Sequence, residues 1–149
     1  MTAAASSPSS VLFACTQNAV RSPMAEALLK HFHGRRIFVD SVGLRTSDID
    51  PLAVEVMAEL GIDLERHRAK TFDLLADMSF DLVVTLSPEA HHRALEMTRT
   101  MACDVEYWPT HDATHEEGNR DTRLAAYRAV RDALRQRILA RFPLTAPAV

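Results

Sequence analysis

The chain has 149 residues, of which 47% are apolar and 25% charged, and its formal net charge is -3. This length and composition are typical of one globular domain with an adequate core, and the charge gives no reason to expect nucleic acid or an anionic membrane as a partner. No apolar run reaches the roughly 20 residues that span a bilayer, and the N-terminus lacks the basic and apolar regions of a secretory signal. Residues 1–9 are expected to be a disordered lead-in, residues 10–142 a single domain, and residues 143–149 a tail.

Cysteine and histidine usage indicates the redox setting and the metal content. The two cysteines, Cys15 and Cys103, are too few for a disulfide framework, which favours a reducing, cytoplasmic location. The seven histidines are not joined by cysteines or carboxylates in a recognisable zinc pattern. We therefore expect no metal and no cofactor.

Apolar runs alternate with helix signals along the chain. Strands are predicted at residues 10–14, 36–41, 80–85 and 104–108. Helices are predicted at residues 23–33, 51–60, 71–76, 88–100 and 120–142, with Ser22, Asp50 and Ser87 as N-cap candidates. This alternation predicts an α/β three-layer sandwich, a four-stranded parallel sheet with helices on both faces. We expect its strands in the flavodoxin-like order 2-1-3-4.

The loop between the first strand and the first helix carries the most informative residues. In parallel sheets the ligand lies outside the carboxyl ends of the strands, where this loop, Ser41, Ser87 and the loop from Pro109 are expected. Backbone N–H groups and the helix dipole there suit a phosphate-like oxyanion, and Arg21 can add a two-pronged donor. The same positive potential would stabilise the thiolate of Cys15. The same loop is thus expected to bind a phosphoryl group and to keep the Cys15 nucleophile ionised.

The run C-T-Q-N-A-V-R-S-P-M-A-E, residues 15–26, resembles the phosphate-binding loop of the low-molecular-weight protein tyrosine phosphatases. That superfamily includes the thiol-linked arsenate reductases, and the resemblance covers nearly the whole chain. It implies that residues 10–142 form one phosphatase-like domain, with Cys15 as nucleophile and Arg21 as the clamp on the phosphoryl oxygens. The residues expected to bind the phosphate are Thr16, Gln17, Asn18, Ala19, Val20, Arg21 and Ser22.

Asn18 and Ser22 are expected to support this loop. Asn tolerates the left-handed backbone that such loops require. The resemblance implies that Asn18 is held by Ser41, in D-S-V-G, and by His67, in H-R-A-K; the alternative for His67 is an exposed histidine in a charged run. Ser22 is expected to cap the first helix, and the family suggests that its hydroxyl also donates to the Cys15 sulfur.

The general acid is expected in the loop after the fourth strand, where the family places Asp-Pro. Asp112 matches the Asp, but Ala113 follows it, so a solvated loop carboxylate remains the alternative. The family's aromatic pocket wall is also missing, because Thr114 comes next and residues 44–49 contain no aromatic residue. Tyr107 and Trp108 are expected to pack in the core. Phosphotyrosyl protein is therefore only a default substrate.

Three functions remain open from the sequence. The first is a protein tyrosine phosphatase-like phosphomonoesterase that forms a phosphocysteine and acts on phosphorylated protein or a small aryl phosphate. The second is an arsenate reductase that uses an external thiol. The thioredoxin-coupled reductases need two further cysteines, but Ser87 stands where one would be and Cys103 is expected at the far end of the sheet. The third is a non-catalytic module that binds phosphate or arsenate-like oxyanions.

Overall fold

The computed structural model describes residues 8–75 and 79–144. Its strands are β1 (Ser10–Cys15), β2 (Phe38–Gly43), β3 (Leu82–Thr85) and β4 (Asp104–Tyr107). Its α-helices are α1 (Arg21–His33), α2 (Pro51–Ala58), α3 (Pro88–Met97) and α4 (Arg120–Arg141), and single 3₁₀ turns lie at Phe72–Leu75 and Ala113–His115. Most of the expected lead-in 1–9 and tail 143–149, and Ala76 of the third predicted helix, lie outside the described residues.

The four strands form one parallel sheet in the order β2-β1-β3-β4, which confirms the predicted order. Val11 of β1 is opposite Val39 on one side and Leu82 on the other, so β1 is a central strand. Residues 11–14 of β1 have no exposed surface. This explains the continuous apolar run, since a strand covered on both faces has no polar side.

The two faces of the sheet have separate cores, as a three-layer sandwich requires. Val11 and Phe13 pack with residues of α1, α2 and α4, whereas Leu12 and Ala14 pack with α3 and the turn Phe72–Leu75. Successive residues of a strand point to opposite faces, so β1 contributes to both cores. None of the described helices is long and apolar enough to cross a membrane.

Several predicted boundaries are wrong by a few residues. Strand β2 begins at Phe38 rather than at residue 36 and continues through Gly43, because it pairs with β1 as far as Cys15. Ser41 therefore lies inside this strand. Strand β3 begins at Leu82 rather than at residue 80, where its pairing with β1 begins. The predicted helix 71–76 is a 3₁₀ turn. Helix α1 begins two residues early and ends at His33 as predicted, whereas α2, α3, α4 and β4 end one to three residues early.

Two of the three predicted helix N-caps are correct. The Asp50 carboxylate accepts from the Leu52 N–H at 2.8 Å, and the Ser87 hydroxyl accepts from the Ala90 N–H at 3.3 Å, which confirms both caps. The prediction that Ser22 caps α1 is wrong. Helix α1 begins at Arg21 after Val20, without a side-chain cap, because the Ser22 hydroxyl is engaged elsewhere.

Candidate active site

The residues between β1 and α1 form a tight loop at the carboxyl edge of the sheet. Cys15 is the last residue of β1 and is buried. Asn18 has φ of 55°, the left-handed backbone predicted for it. This turn brings the Asn18 N–H to 3.3 Å from the Cys15 sulfur, which is thereby held at the floor of the loop.

A second segment, residues 44–51, packs along this loop, and we call it the wall segment. Its N–H groups donate to carbonyl oxygens of the loop: Leu44 to Cys15, Arg45 to Thr16, Ser47 to Gln17 and Asp50 to Ala19, at 3.0–3.3 Å. These bonds direct four carbonyl oxygens of the loop toward the wall segment, and only the loop's N–H groups can donate to an anion.

Gly43 allows the two segments to approach each other. A Cβ atom at this position would lie 2.6 Å from the Arg45 oxygen and 2.7 Å from the Asn18 nitrogen. Both distances are shorter than a side chain can accept from backbone atoms. Only glycine fits here without moving the loop.

The Cys15 sulfur has a hydroxyl partner. Ser22 Oγ lies 2.8 Å from Cys15 Sγ and accepts from Asn18 Nδ2 at 2.9 Å. Its other acceptor, the Val42 carbonyl, is farther away at 3.4 Å. The Ser22 hydroxyl is therefore better placed to donate to the Cys15 sulfur than to the Val42 carbonyl. A departing thiolate would accept this hydrogen bond.

Asn18 makes four side-chain hydrogen bonds, and they fix the loop. Its Nδ2 donates to Ser22 and to Ser41 Oγ at 2.9 Å. Its Oδ1 accepts from the Lys70 N–H at 3.0 Å and from His67 Nε2 at 3.0 Å. The structure thus brings both residues that the sequence linked to Asn18, Ser41 and His67, into contact with it. The backbone of Lys70 is an additional partner.

Glu26 completes this buried network, and the sequence analysis did not predict it. It is 7% exposed, accepts from Ser41 Oγ, pairs with Lys30, and lies 3.8 Å from His67 Nδ1. Burial lowers the pKa of His67 and outweighs the opposing effect of Glu26. The ring is thus neutral at neutral pH and donates through Nε2 to Asn18. The sequence did contain a signal for it. Glu26 is an acidic residue on the apolar side of α1, and a carboxylate buried there needs partners.

Arg21 and Asp112 meet on the other side of the sulfur. Arg21 Nη1 donates to the Thr110 carbonyl at 3.1 Å, and Nη2 lies 3.8 Å from Asp112 Oδ2. Asp112 is half-buried, and its Oδ1 accepts from the N–H and hydroxyl of Thr114 at 3.0 and 2.6 Å. Burial raises the pKa of Asp112, but the Thr114 hydrogen bonds and the charges of Arg21 and His115 outweigh it, so the net pKa lies below the usual value.

These groups border one cavity of about 440 Å³. The residues lining it are Cys15, Gln17, Ala19, Val20, Arg21, Ser47, Asp48, Ile49, Asp50, Pro51, Asp112 and Thr114. Thr16 lies beside it and donates to Ser87 Oγ at 3.1 Å, so Ser87 ties α3 to the loop. The cavity therefore brings together the predicted nucleophile, clamp and acid.

Other candidate residues lie away from the cavity. Trp108 is in the core beside Phe13, as predicted, whereas Tyr107 is half-buried and stacks on His91. Cys103 directly precedes β4, at the opposite edge of the sheet from Cys15, and no disulfide joins them. Within residues 8–75 and 79–144, no three His, Cys, Asp or Glu side chains are grouped in a way that could hold a metal ion.

Known proteins resemble this chain over most of its length. The family model described as low molecular weight phosphotyrosine protein phosphatase matches residues 10–140. The arsenate reductase of Halalkalibacterium halodurans is 33% identical over 130 residues, covering 86% of this chain and 91% of that protein. An arsenate reductase solved in its phosphate-binding state has a TM-score of 0.68 and 26% identity, covering 88% of this chain and 94% of that chain. The Erwinia amylovora tyrosine phosphatase AmsI, with a TM-score of 0.72 and 22% identity over 88% of this chain and 89% of that chain, has the same fold.

Proposed function

The chain belongs to the low molecular weight phosphotyrosine protein phosphatase family, and we propose that it is a phosphomonoesterase acting through a phosphocysteine on Cys15. The observation that carries this proposal is the placement of three groups around one cavity: the Cys15 sulfur, the Arg21 guanidinium and the Asp112 carboxyl. They correspond to the nucleophile, the oxyanion clamp and the acid that the reaction needs. The proposed substrates are a phosphorylated protein or a small aryl phosphate.

In the first step the Cys15 thiolate attacks phosphorus. An S–P bond forms, the bond from phosphorus to the leaving oxygen breaks, and Asp112 gives its proton to that oxygen. Arg21 and the loop N–H groups from residues 16 to 22 hold the other phosphoryl oxygens. Because a guanidinium binds two oxygens at once, Arg21 would exchange the Thr110 carbonyl for the phosphoryl group.

In the second step water hydrolyses the phosphocysteine. Asp112, now a carboxylate, takes a proton from the attacking water, and the S–P bond breaks to release phosphate. The departing sulfur carries a negative charge, and the Ser22 hydroxyl at 2.8 Å is placed to donate to it. This role accounts for the burial of a serine hydroxyl beside the sulfur instead of at a helix cap.

The protonation of Asp112 sets the expected pH dependence. Its pKa lies below the usual range, so the carboxyl is ionised at neutral pH in the protein alone. A phosphate dianion beside it raises that pKa, because a nearby negative charge disfavours a second one. We therefore expect the rate of the first step to fall as the pH rises through the pKa of Asp112 in the complex.

Arsenate reduction is the second candidate, favoured by relatives such as the 33% identical arsenate reductase. In that reaction the Cys15 thiolate displaces hydroxide from arsenate and forms an S–As bond. A thiol then attacks the Cys15 sulfur and forms a mixed disulfide, while the S–As electron pair passes to arsenic, which leaves as arsenite; a second thiol reduces the disulfide and frees Cys15. The attacking thiol must come from outside the chain, such as glutathione, because Cys103 lies at the opposite edge of the sheet. Both reactions need Cys15 as a reduced thiol, so we also infer a cytoplasmic setting.

Turnover of p-nitrophenyl phosphate at about pH 6, with the Cys15→Ser variant as blank, tests the proposal. We expect native protein to exceed the blank, and Asp112→Asn to lose about 100-fold or more with a poor leaving group. Native activity no higher than the blank would exclude the phosphatase. Arsenate reduction with glutathione, assayed in parallel, would then separate the reductase from a non-catalytic oxyanion-binding module.

A further inference from the structure

The outer part of the cavity differs in chemistry from its floor. Its wall segment contributes Ile49 and Pro51, which are aliphatic, and none of the described residues lining the cavity is aromatic. An aromatic leaving group would therefore find no ring to stack on, and it would lose the attraction that aromatic pairs gain beyond burial. The wall instead suits an aliphatic chain.

The cavity lining is also strongly acidic. It contains the carboxylates of Asp48, Asp50 and Asp112, and Arg21 is its one cation among the described residues. A bound phosphoryl group engages Arg21, and Asp112 then carries the proton that it donates, so the negative charge beyond that group comes from Asp48 and Asp50. A neutral or anionic leaving group gains nothing from this arrangement, whereas a cationic one is attracted.

Asp48 is the carboxylate best placed to act on a leaving group. Asp112 serves as the acid, and the two oxygens of Asp50 accept from Leu52 N–H and from the Tyr127 hydroxyl at 2.8 and 2.7 Å. Asp48 is exposed, and no ion pair to it is found among residues 8–75 and 79–144. Its carboxylate is therefore open to both the cavity and the solvent.

From these observations we infer that Asp48 selects phosphorylated substrates whose leaving group is an aliphatic chain carrying a positive charge. The inference rests on the proposed function, because it names the substrate class of that site. The phosphoryl group sits on the Cys15 loop, the aliphatic part lies along Ile49 and Pro51, and the cation faces Asp48. The chemical steps remain those of phosphocysteine hydrolysis.

A matched pair of phosphonates tests this selection without requiring turnover. One probe is trimethylammoniopropylphosphonate, and the other is its neutral isostere, in which a quaternary carbon replaces the nitrogen. We expect calorimetry on the full chain at low salt to show about fivefold tighter binding of the cationic probe, the ratio expected for about 1 kcal/mol of Coulomb attraction. Added salt should reduce this ratio, because the Asp48 charge is exposed.

Variants assign the preference to Asp48. Asp48→Asn should bring the ratio of the two affinities below about twofold, and Asp48→Lys should invert it, while Asp48→Glu should keep it. Glu96→Gln on α3 removes an exposed charge outside the cavity lining and should leave the ratio unchanged. Equal binding of the two probes to native protein, or an unchanged affinity ratio in Asp48→Asn, would overturn the inference. The proposed phosphatase function would not be affected by either result. If neither probe binds, the oxyanion site itself fails, and the proposed function fails with it.

Discussion

The floor and the mouth of the cavity differ in how completely their polar groups are bonded. At the floor, Asn18, Ser22 and Ser41 have no exposed surface and share a continuous network of hydrogen bonds. At the mouth, Asp48 and Thr114 are exposed, and Asp112 contacts Arg21 only at 3.8 Å. Buried networks leave one arrangement available, whereas exposed loops can vary in sequence and position. We therefore expect the floor to hold the Cys15 nucleophile in one arrangement, and the mouth, where the proposed acid Asp112 lies, to distinguish between substrates.

The largest expected effect comes from the clamp, which lies where floor and mouth meet. Arg21→Lys keeps the charge but loses the planar, two-pronged donor. We expect kcat/KM to fall by about 100- to 1000-fold, the loss typical of removing one oxyanion donor. Arg36→Lys, at the opposite edge of the sheet, is the control and should retain full activity. A loss of less than tenfold in Arg21→Lys would indicate that the loop N–H groups bind the phosphoryl group without this side chain.

The next effect tests the hydrogen-bonded floor. Asn18→Gly keeps the left-handed backbone but removes four side-chain hydrogen bonds. We expect unfolding in urea to show a loss of about 2–4 kcal/mol, because Ser41 and His67 are left without this partner. Asn18→Ala should be less stable still, because Ala adds backbone strain at φ of 55°. Equal stability of the two variants would show that this backbone is unstrained.

A smaller effect tests the contact between the loop and the wall segment. Gly43→Ala places a methyl group 2.6 Å from the Arg45 oxygen, and we expect a loss of about 1–3 kcal/mol together with a raised KM. Gly61→Ala is the matched control, since Gly61 has φ of +74° but no atoms near the added carbon. That control should lose stability without a change in KM. A normal KM in Gly43→Ala would contradict a role for this contact in phosphate binding.

The smallest effect is confined to the mouth. Thr114→Ala removes the hydroxyl that donates to Asp112 at 2.6 Å and helps to keep the pKa of Asp112 low. The pKa should rise toward its usual value, so the carboxyl stays protonated to higher pH. We expect the decline of kcat/KM with rising pH, measured with a poor leaving group, to move to higher pH. A shift to lower pH would exclude this hydrogen bond as the cause.

The same division explains what the sequence could predict. Cys15, Arg21 and the backbone of Asn18 depend on local signals, because a strand, a loop and a helix follow one another within residues 10–33. The link from Asn18 to Ser41 and His67 came from a family resemblance, which carried the long-range information. Glu26 was missed because its partner Ser41 lies on β2, 15 residues away in the sequence. Ser22 was misassigned as a cap because its hydroxyl bonds to Cys15 and Asn18, contacts that local rules do not consider.

The central claim is that the Cys15 sulfur carries the phosphoryl group during turnover. Rapid acid quenching of the Asp112→Asn variant with p-nitrophenyl phosphate, followed by peptide mass spectrometry, tests it most directly, since this variant should hydrolyse the intermediate slowly. The account predicts one phosphoryl group on the peptide that contains Cys15, and none in a Cys15→Ala, Asp112→Asn double variant treated in the same way. Steady turnover of the substrate with no phosphorylated Cys15 peptide, or with the phosphoryl group on another residue, would contradict it.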